Sequence, residues 1–525
     1  MRRLVALVLG VCLVAGLTGA YLLLSDRPQI RVEVEPGGPS ADAVPRQTVF
    51  HVDCRTLPGG DATAAHPWNS LQAISDHGPF QAGDRILLAR SSTCPGRIAP
   101  SGSGSAASPI TLGAYGEGTA PLVQGGGTSE GTGAVELTDL HDWTVEDLQV
   151  TNRPATGQDG AYRAGVLALN STGGRLTGIT IQRVAVEQVA SDPGWRDGVD
   201  PHEYGGISLL TRSADPSAGF DGARIVGNRV ERVGRVGIVS WNGSYPNTFD
   251  HDVEITDNSV SWADGDSILM YGTDGGTIAR NTSAYNGALP ECAACHSVRG
   301  NTASAGIWPT RARNVVVEAN EVYGAHAAKG DGEGLDVDLE TQNVTVQRNY
   351  VHDNEGGGVL LCAASQATVR ANIFRDNGGA AFMFNCAQPS SAITIVNNDV
   401  YSGATRPAAV VRTVAGRGAT GLVFQNNLVF TARPAAWDWP GAVALANNSL
   451  FGAKHRSSPK GAWTAGPSPT GLGAGGTGMA TISAQRPAAG AVASSPLGAG
   501  VLDFFGTPFD PASPGRGAVA PAPAG

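Results

Sequence analysis

The sequence predicts an all-β fold, a right-handed parallel β-helix (solenoid) of short stacked coils. Glycine is abundant, with 72 among 525 residues, and aromatic residues make up only 6%, a composition that suits many tight turns. An asparagine recurs between short apolar strands every 21 to 39 residues, with no amphipathic helix between the repeats. Such a period without helices is typical of a β-solenoid. The recurring asparagines are Asn228, Asn258, Asn281, Asn320, Asn349, Asn372, Asn398, Asn427 and Asn448.

A single coil has too small a core to be stable alone. Stacking joins the inward Ile, Val and Leu side chains of successive coils into one core, and each strand pairs with its equivalent in the next coil. The recurring asparagine marks a tight turn, and its side chain can bond backbone groups and the asparagine of the neighbouring coil. We therefore expect a structural asparagine ladder.

The two ends differ from this repeat. Residues 1–24 hold Arg2 and Arg3 followed by an uncharged apolar run, close to the roughly 20 residues that span a bilayer as a helix. They are predicted to be an uncleaved signal anchor with its basic end inside; secretion after cleavage is the alternative. Residues 25–47 are predicted to be a linker, 48–125 an N-terminal cap and first coil, 126–455 the β-helix, and 456–525 an Ala/Gly/Pro-rich tail. The helix predicted for residues 68–77 covers the open end of the solenoid.

The net charge and the cysteine content limit which binding partners and which cellular compartment are expected. A net charge of −10 disfavours nucleic acid, because phosphate binding needs basic patches. Six cysteines lie outside the anchor, and export permits disulfides, although six cysteines allow fifteen pairings. Cys362 and Cys386 occupy similar positions on adjacent coils, while Cys54 and Cys94 flank the cap, so these two pairs are the expected disulfides. The segment 292–296, CAACH, matches a haem-attachment motif, but it is a single short motif inside an inserted loop, so a loop disulfide is the favoured interpretation.

Several segments resemble the opening of bacterial exported right-handed parallel β-helix repeat proteins of the pectin-lyase-like superfamily. The resemblance covers about residues 48–455 and implies the fold. That superfamily includes polysaccharide lyases, glycosidases, epimerases and phage tailspikes, but the signature motifs of polygalacturonases and calcium-dependent pectate lyases are not found here. No catalytic residue is therefore carried over. The matching segments are FHVDC (50–54), WNSL (68–71), GDRIL (83–87), GAYG (113–116) and NYVHDNEGG (349–357).

Counting from each ladder asparagine locates two insertions. In regular coils the first inward residue of the next strand lies ten positions after the asparagine, as for Ile238, Ile268, Val359 and Phe382. From Asn281 it is Ile307, and from Asn320 it is Leu335, so both coils carry extra residues. Insertions in solenoids map to loops that often border a binding face.

The strand after the second insertion is acidic. Alternation places Leu335, Val337 and Leu339 inside, with Asp336 and Asp338 outside and their Cβ atoms about 6.5–7 Å apart. Two such carboxylates are candidates for acid and base around a glycosidic bond. Alternatively, they share a calcium ion with Asp331 and Glu333, since hard cations prefer several oxygen ligands.

The same register places aromatic residues beside these carboxylates. Trp308 is expected next to them, with Tyr271 and Trp241 on earlier coils, and outward aromatic rings offer a stacking platform for sugars. His326, Lys329 and His352 are the auxiliary base and cation candidates.

These observations favour an extracytoplasmic protein that acts on a polysaccharide as a glycoside hydrolase, lyase or epimerase. The alternatives are a non-catalytic cell-surface protein that binds polysaccharide and a structural spacer that holds another part away from the membrane. No cofactor is required by the sequence; calcium is the one candidate.

Overall fold

The computed structural model describes residues 47–157, 159–192, 194, 200–287, 304–326, 331–384, 386, 388–403, 409–414, 418–453, 459, 501–510 and 517–519. The predicted anchor, Lys329 and the CAACH segment lie outside these residues. Among the described residues, no helix is both long enough and apolar enough to cross a bilayer.

Three long sheets, whose strands pair in parallel, form the fold, and each coil contributes to sheet A, then B, then C. The 14 strands of sheet A are Val49–Val52, Arg85–Ala89, Ile110–Tyr115, Trp143–Glu146, Ile179–Gln182, Arg224–Val226, Glu254–Thr256, Thr277–Ala279, Val316–Glu318, Thr345–Gln347, Thr368–Arg370, Thr394–Val396, Leu422–Gln425 and Val443–Ala446. The 13 strands of sheet B are Thr93–Pro95, Leu122–Gln124, Gln149–Asn152, Ala185–Val189, Arg229–Val233, Ser259–Ala263, Thr282–Ala284, Glu321–Tyr323, Tyr350–His352, Ile373–Arg375, Asp399–Ser402, Leu428–Thr431 and Ser449–Gly452.

Sheet C carries the acidic strand. Its 11 strands are Gly133–Thr138, Ala164–Asn170, Gly205–Thr211, Val236–Asn242, Ile268–Tyr271, Ser304–Thr310, Asp331–Val337, Val359–Leu361, Phe382–Phe384, Ala409–Thr413 and Ala436–Trp437. A four-stranded sheet between C and A is formed by Arg175–Thr177, Gly219–Asp221, Asp250–His251 and Thr273–Asp274, and a two-stranded one by Ser390–Ser391 and Ala419–Thr420.

The coils stack in the predicted register. Ile238, Ile268, Ile307, Leu335, Val359 and Phe382 pair in one continuous row across sheet C. All six are buried in the main core. The ten-residue count and the two insertions are therefore confirmed, because the inserted coils return to the same row.

The asparagine ladder is also confirmed. Each ladder side chain accepts the backbone N–H and the amide N–H of the preceding asparagine, as Asn349 does from Asn320 at 3.0 and 2.9 Å. Asn349 in turn donates to the carbonyl of Val317 at 2.9 Å and to Asn372 at 2.9 Å. These bonds satisfy buried turn groups that have no strand partner.

The helix of the N-terminal cap is shorter than predicted. The helix spans Gln72–Asp76, whereas Trp68 bridges Val52 as part of the sheet edge. Phe50 stacks on Trp68 with ring centroids 5.5 Å apart. The predicted Cys54–Cys94 and Cys362–Cys386 disulfides are both present.

The described part of the tail packs against the side of the solenoid. Phe504 packs with Tyr350 and Ile373, and the Ala518 amide donates to the buried Asp399 carboxyl at 3.1 Å. This segment lies on coils that precede the last one, where sheet B presents apolar side chains.

Candidate functional site

The acidic strand Asp331–Val337 places four carboxylates on or near one face of sheet C. Leu335 and Val337 point into the core as predicted, which sends Asp336 and Asp338 to the other face. Both are nevertheless buried, at 6% and 7% exposure. Leu339 was predicted to lie inside, which is wrong: it lies beyond the strand end and packs with the outer cluster around Leu360.

Two donors from the preceding coil reach Asp338. The indole N–H of Trp308 donates to Asp338 Oδ2 at 2.9 Å, and the Thr310 hydroxyl donates to the same oxygen at 3.4 Å. The predicted placement of Trp308 beside this carboxylate is therefore confirmed. Burial raises the pKa of Asp338, and these two hydrogen bonds act to lower it.

The other three carboxylates have fewer donors. Burial and then the charge of Asp338 hold the pKa of Asp336 well above its usual value. Burial and then Asp331 raise the pKa of Glu333 to about 7. Burial and then Asp266 raise that of Asp331, although Asp331 is the one exposed residue of the strand. In the described part of the chain, Asp336 Oδ1 and Glu333 Oε2 are buried without a hydrogen-bond partner.

A buried network of His202, Arg235 and Asp266 lies behind this strand. Arg235 forms an ion pair with Asp266 at 2.9 Å and contacts Nε2 of His202. His202 Nδ1 lies 2.5 Å from a carboxylate oxygen of Asp200. Burial and the charge of Arg235 lower the pKa of His202, so the ring is neutral, donates from Nδ1 to Asp200 and accepts from Arg235 at Nε2.

The sequence analysis missed this network. Asp266 could have been found from the sequence. The count from Asn258 puts Asp266 two residues before the inward Ile268, just as Glu333 stands two residues before Leu335. His202 and its 3-10 turn, Pro201–Glu203, lie in a connecting segment with no repeat pattern and gave no such indication.

The aromatic column is largely covered. Trp241 is only 8% exposed and stacks on Tyr271 with centroids 3.9 Å apart, while Arg311 lies over the ring of Tyr271. The predicted exposed platform is therefore wrong for Trp241, which packs against Tyr271. Tyr271 and Trp308 are both half-buried, and their role in sugar binding stays a prediction.

The structure places the two auxiliary histidines in different surroundings. His352 lies on sheet B, paired with Asp353 at 2.8 Å and stacked on Tyr350 at 4.0 Å, so the structure does not bring it to the acidic strand of sheet C. The prediction for His352 is wrong for that reason. His326 pairs with Glu355 at 2.6 Å, and its carbonyl accepts from Ser304 at the start of the neighbouring strand.

The calcium site predicted at Asp331, Glu333, Asp336 and Asp338 stays a prediction. Among the described residues, the one set of three ligand atoms within 4.8 Å of one another belongs to Asp338, Cys362 and Cys386. These two cysteines form a disulfide and offer no thiolate. The site is thus a carboxylate strand bordered by an indole and a disulfide.

Comparisons with known proteins agree with the fold. A family model described as "Right handed beta helix region" matches residues 206–400. The chain has a right-handed parallel β-helix fold. The predicted resemblance to right-handed parallel β-helix repeat proteins is thereby confirmed.

Individual relatives of this β-helix are carbohydrate-active by name. It is 24% identical over 497 residues to a lacto-N-biosidase of Bifidobacterium longum, covering 75% of this chain and 30% of that one. Among solved structures, it is similar to the GH136 lacto-N-biosidase of Eubacterium ramulus, at 19% identity and a TM-score of 0.54 over 77% of this chain and 68% of that chain. An alginate lyase complex matches at 14% identity and a TM-score of 0.50 over 78% and 87%. The chain thus spans less than a third of the curated relative's length.

Proposed function

We propose that this β-helix is a glycoside hydrolase that cleaves a neutral glycan at the acidic strand of sheet C. The observation that carries the proposal is the carboxylate strand itself: one exposed and three buried acids, mutually coupled, beside an indole N–H donor. Glycosidic cleavage needs one carboxylic acid that is protonated and one carboxylate that is ionised. The named likeness to lacto-N-biosidases supports the same class.

The donors and the exposure distinguish the roles. Asp338 receives two hydrogen bonds, which favour its ionised form, so it serves as nucleophile or base. Asp331 is the exposed residue of the strand and can therefore reach a leaving-group oxygen, so it is assigned as the acid; burial and then Asp266 raise its pKa, which is the direction that this role needs. Asp336 and Glu333 are buried without a donor on one oxygen, and their raised pKa values favour the neutral acids, so neither is assigned as the nucleophile.

The charge pattern favours a hydrolase over the lyase and epimerase that the sequence left open. Those reactions act on uronates, whose carboxylate needs a cation to neutralise it. Of the described cations, Arg235 acts on Asp331, and it is already paired with Asp266. The strand itself carries four acids and no cation that could neutralise a uronate carboxylate, which is compatible with a neutral sugar.

The test uses purified full-length protein and a panel of neutral and uronate-containing glycans that includes a lacto-N-bioside. New reducing ends are expected from a neutral substrate, without the absorbance of unsaturated uronates. Asp331→Asn and Asp338→Asn should each lower kcat by about 10²–10⁴-fold, while Glu117→Gln, an exposed acid near the cap, leaves it unchanged. Full activity in Asp338→Asn, or an unsaturated product, contradicts the proposal. Binding without turnover would favour the polysaccharide-binding alternative.

A further inference from the structure

The acidic strand begins with an irregular step. Ser304 pairs with Asp331, but the next residue, Ala305, pairs with Glu333, so Gly332 is an extra residue on the acidic strand. Asp331 and Gly332 both have positive φ, at 57° and 82°. An extra residue of this kind is a β-bulge, a feature that redirects side chains beside active sites. The bulge therefore sets the directions of Asp331 and Glu333.

A side chain from the preceding coil anchors this bulge. Oδ1 of Asp266 accepts the backbone N–H of Ala305 at 2.9 Å, at the residue where the ladder shifts its register. Asp266 is 1% exposed. The Asp266 carboxylate thus provides an acceptor for the buried Ala305 amide at the register shift, where regular strand pairing is interrupted.

The buried network fixes Asp266 in turn. Arg235, which is 2% exposed, pairs with the other oxygen of Asp266 at 2.9 Å and contacts His202 Nε2. Asp200 holds the opposite nitrogen of the His202 ring. Each of these buried residues thus has an ionic or hydrogen-bonded partner, as burial of charge requires.

The network also reaches the donor of Asp338. The His202 ring meets the Trp308 ring edge-on, with centroids 5.1 Å apart, and lies parallel to Trp241 at 6.1 Å. Trp308 is the residue that donates to Asp338. The network therefore reaches both ends of the acidic strand. Asp266 binds the Ala305 amide beside the start of the strand, and His202 contacts the Trp308 ring, whose N–H donates to Asp338 at its end.

We infer that His202, Arg235 and Asp266 are positioning residues, which hold the bulge at Ala305 and the Trp308 ring so that Asp331 and Asp338 face one bond of the substrate. Side chains that hold a catalytic group in orientation act through geometry and contribute to kcat more than to binding. The catalytic part of this inference rests on the proposed hydrolase; the structural part does not.

The experiment compares Asp266→Asn with Asp266→Ala in full-length protein. The Asn variant keeps an oxygen for the Ala305 amide and loses the charge, whereas the Ala variant loses both. Hydrogen–deuterium exchange of the segment 304–310 should stay near the wild-type rate in Asp266→Asn and rise at least tenfold in Asp266→Ala. In turnover assays, kcat should fall at least tenfold in Asp266→Ala with KM within about twofold, and Asp266→Asn should recover part of it.

A control and a second variant keep the test decisive. Asp250→Asn changes another buried aspartate that accepts a backbone amide, that of Phe220 at 2.9 Å, and should alter neither readout. If Asp266→Ala does not fold, Arg235→Lys is measured instead, and kcat should fall while KM is retained. Wild-type exchange in Asp266→Ala overturns the role at the bulge, whatever the activity. Faster exchange with unchanged kcat overturns the positioning role, and because exchange needs no substrate, failure of the hydrolase proposal itself is recognised separately.

Discussion

Trp308 and Asp338 lie on neighbouring strands of sheet C, and the indole Nε1 donates to Asp338 Oδ2 over 2.9 Å. The hydrogen bond stabilises the ionised carboxylate and acts to lower its pKa. It links an aromatic residue predicted to bind sugar to a residue predicted to perform chemistry.

Trp308→Phe removes this donor and keeps an aromatic ring. The pKa of Asp338 should rise, so the acidic limb of the kcat/KM profile, which requires ionised Asp338, should move to higher pH. The pH dependence of turnover on the best neutral substrate measures this shift. Trp262→Phe, which changes a tryptophan of sheet B stacked on Tyr285, is the control; an unmoved acidic limb in Trp308→Phe contradicts the role given to the indole.

Asp399 makes stability depend on pH. Burial raises its folded-state pKa to about 7, above an unfolded value near 3.9, so the folded protein binds the extra proton between these values. The free energy of unfolding should therefore fall as pH rises from about 4 to 7, by roughly 1.4 kcal/mol for each unit of pKa difference.

Urea unfolding at pH 5 and pH 8 measures this dependence. Asp399→Asn keeps an acceptor for the Ala518 amide but cannot ionise, so the difference between the two pH values should shrink. It should not vanish, because the pKa values of Asp250 and Glu333 are also raised to about 7. An unchanged difference in Asp399→Asn contradicts the assignment. Asp257→Asn, at an ion pair with Arg280, is the comparison with a carboxylate of lowered pKa.

Ser283 interrupts an apolar row of sheet B. Its neighbours in the row are Val260 and Val322, and its buried hydroxyl has no hydrogen-bond partner among the described residues. Ser283→Val should raise the free energy of unfolding by about 1–2 kcal/mol, because it removes an unsatisfied polar group. Thermal and urea unfolding check this, with Val322→Ser as the reverse change, which should destabilise. A less stable Ser283→Val would show that the hydroxyl has a partner such as an ordered water.

Asn349→Ala tests the ladder. The change leaves the Asn320 amide and the Val317 carbonyl without their bonds, each at a cost of about 1–3 kcal/mol. A total loss of about 2–4 kcal/mol is expected from urea unfolding. Asn247→Ala, at an exposed asparagine in a turn, should change stability by less than about 0.5 kcal/mol. Equal effects of the two substitutions would contradict the ladder's structural role.

Most of the fold could be predicted because a single residue type, asparagine, marks the same turn in each repeat. Each asparagine fixes one turn, and a constant count from it fixes the inward residue of sheet C, so even Ile307 and Leu335 after the insertions were placed correctly. Alternation then placed Asp336, Asp338 and Trp308 on one face. The disulfide Cys362–Cys386 followed from the same count.

What could not be predicted depends on the connecting segments. Burial of Trp241 results from stacking with Tyr271 and from the nearby His202, and a strand pattern gives direction without showing what lies above it. The bulge at Gly332 likewise has no sequence period. His352 was misassigned because a count along one strand does not say which sheet the next strand joins.

Both insertions occur at the same corner, between a strand of sheet B and the following strand of sheet C, and the row of inward residues resumes after each one. The core therefore tolerates changes in length at this corner without a change in coil geometry. For an engineer, this corner is a natural graft point, because its length can be changed while the carboxylate strand and the asparagine ladder keep their places in the stack.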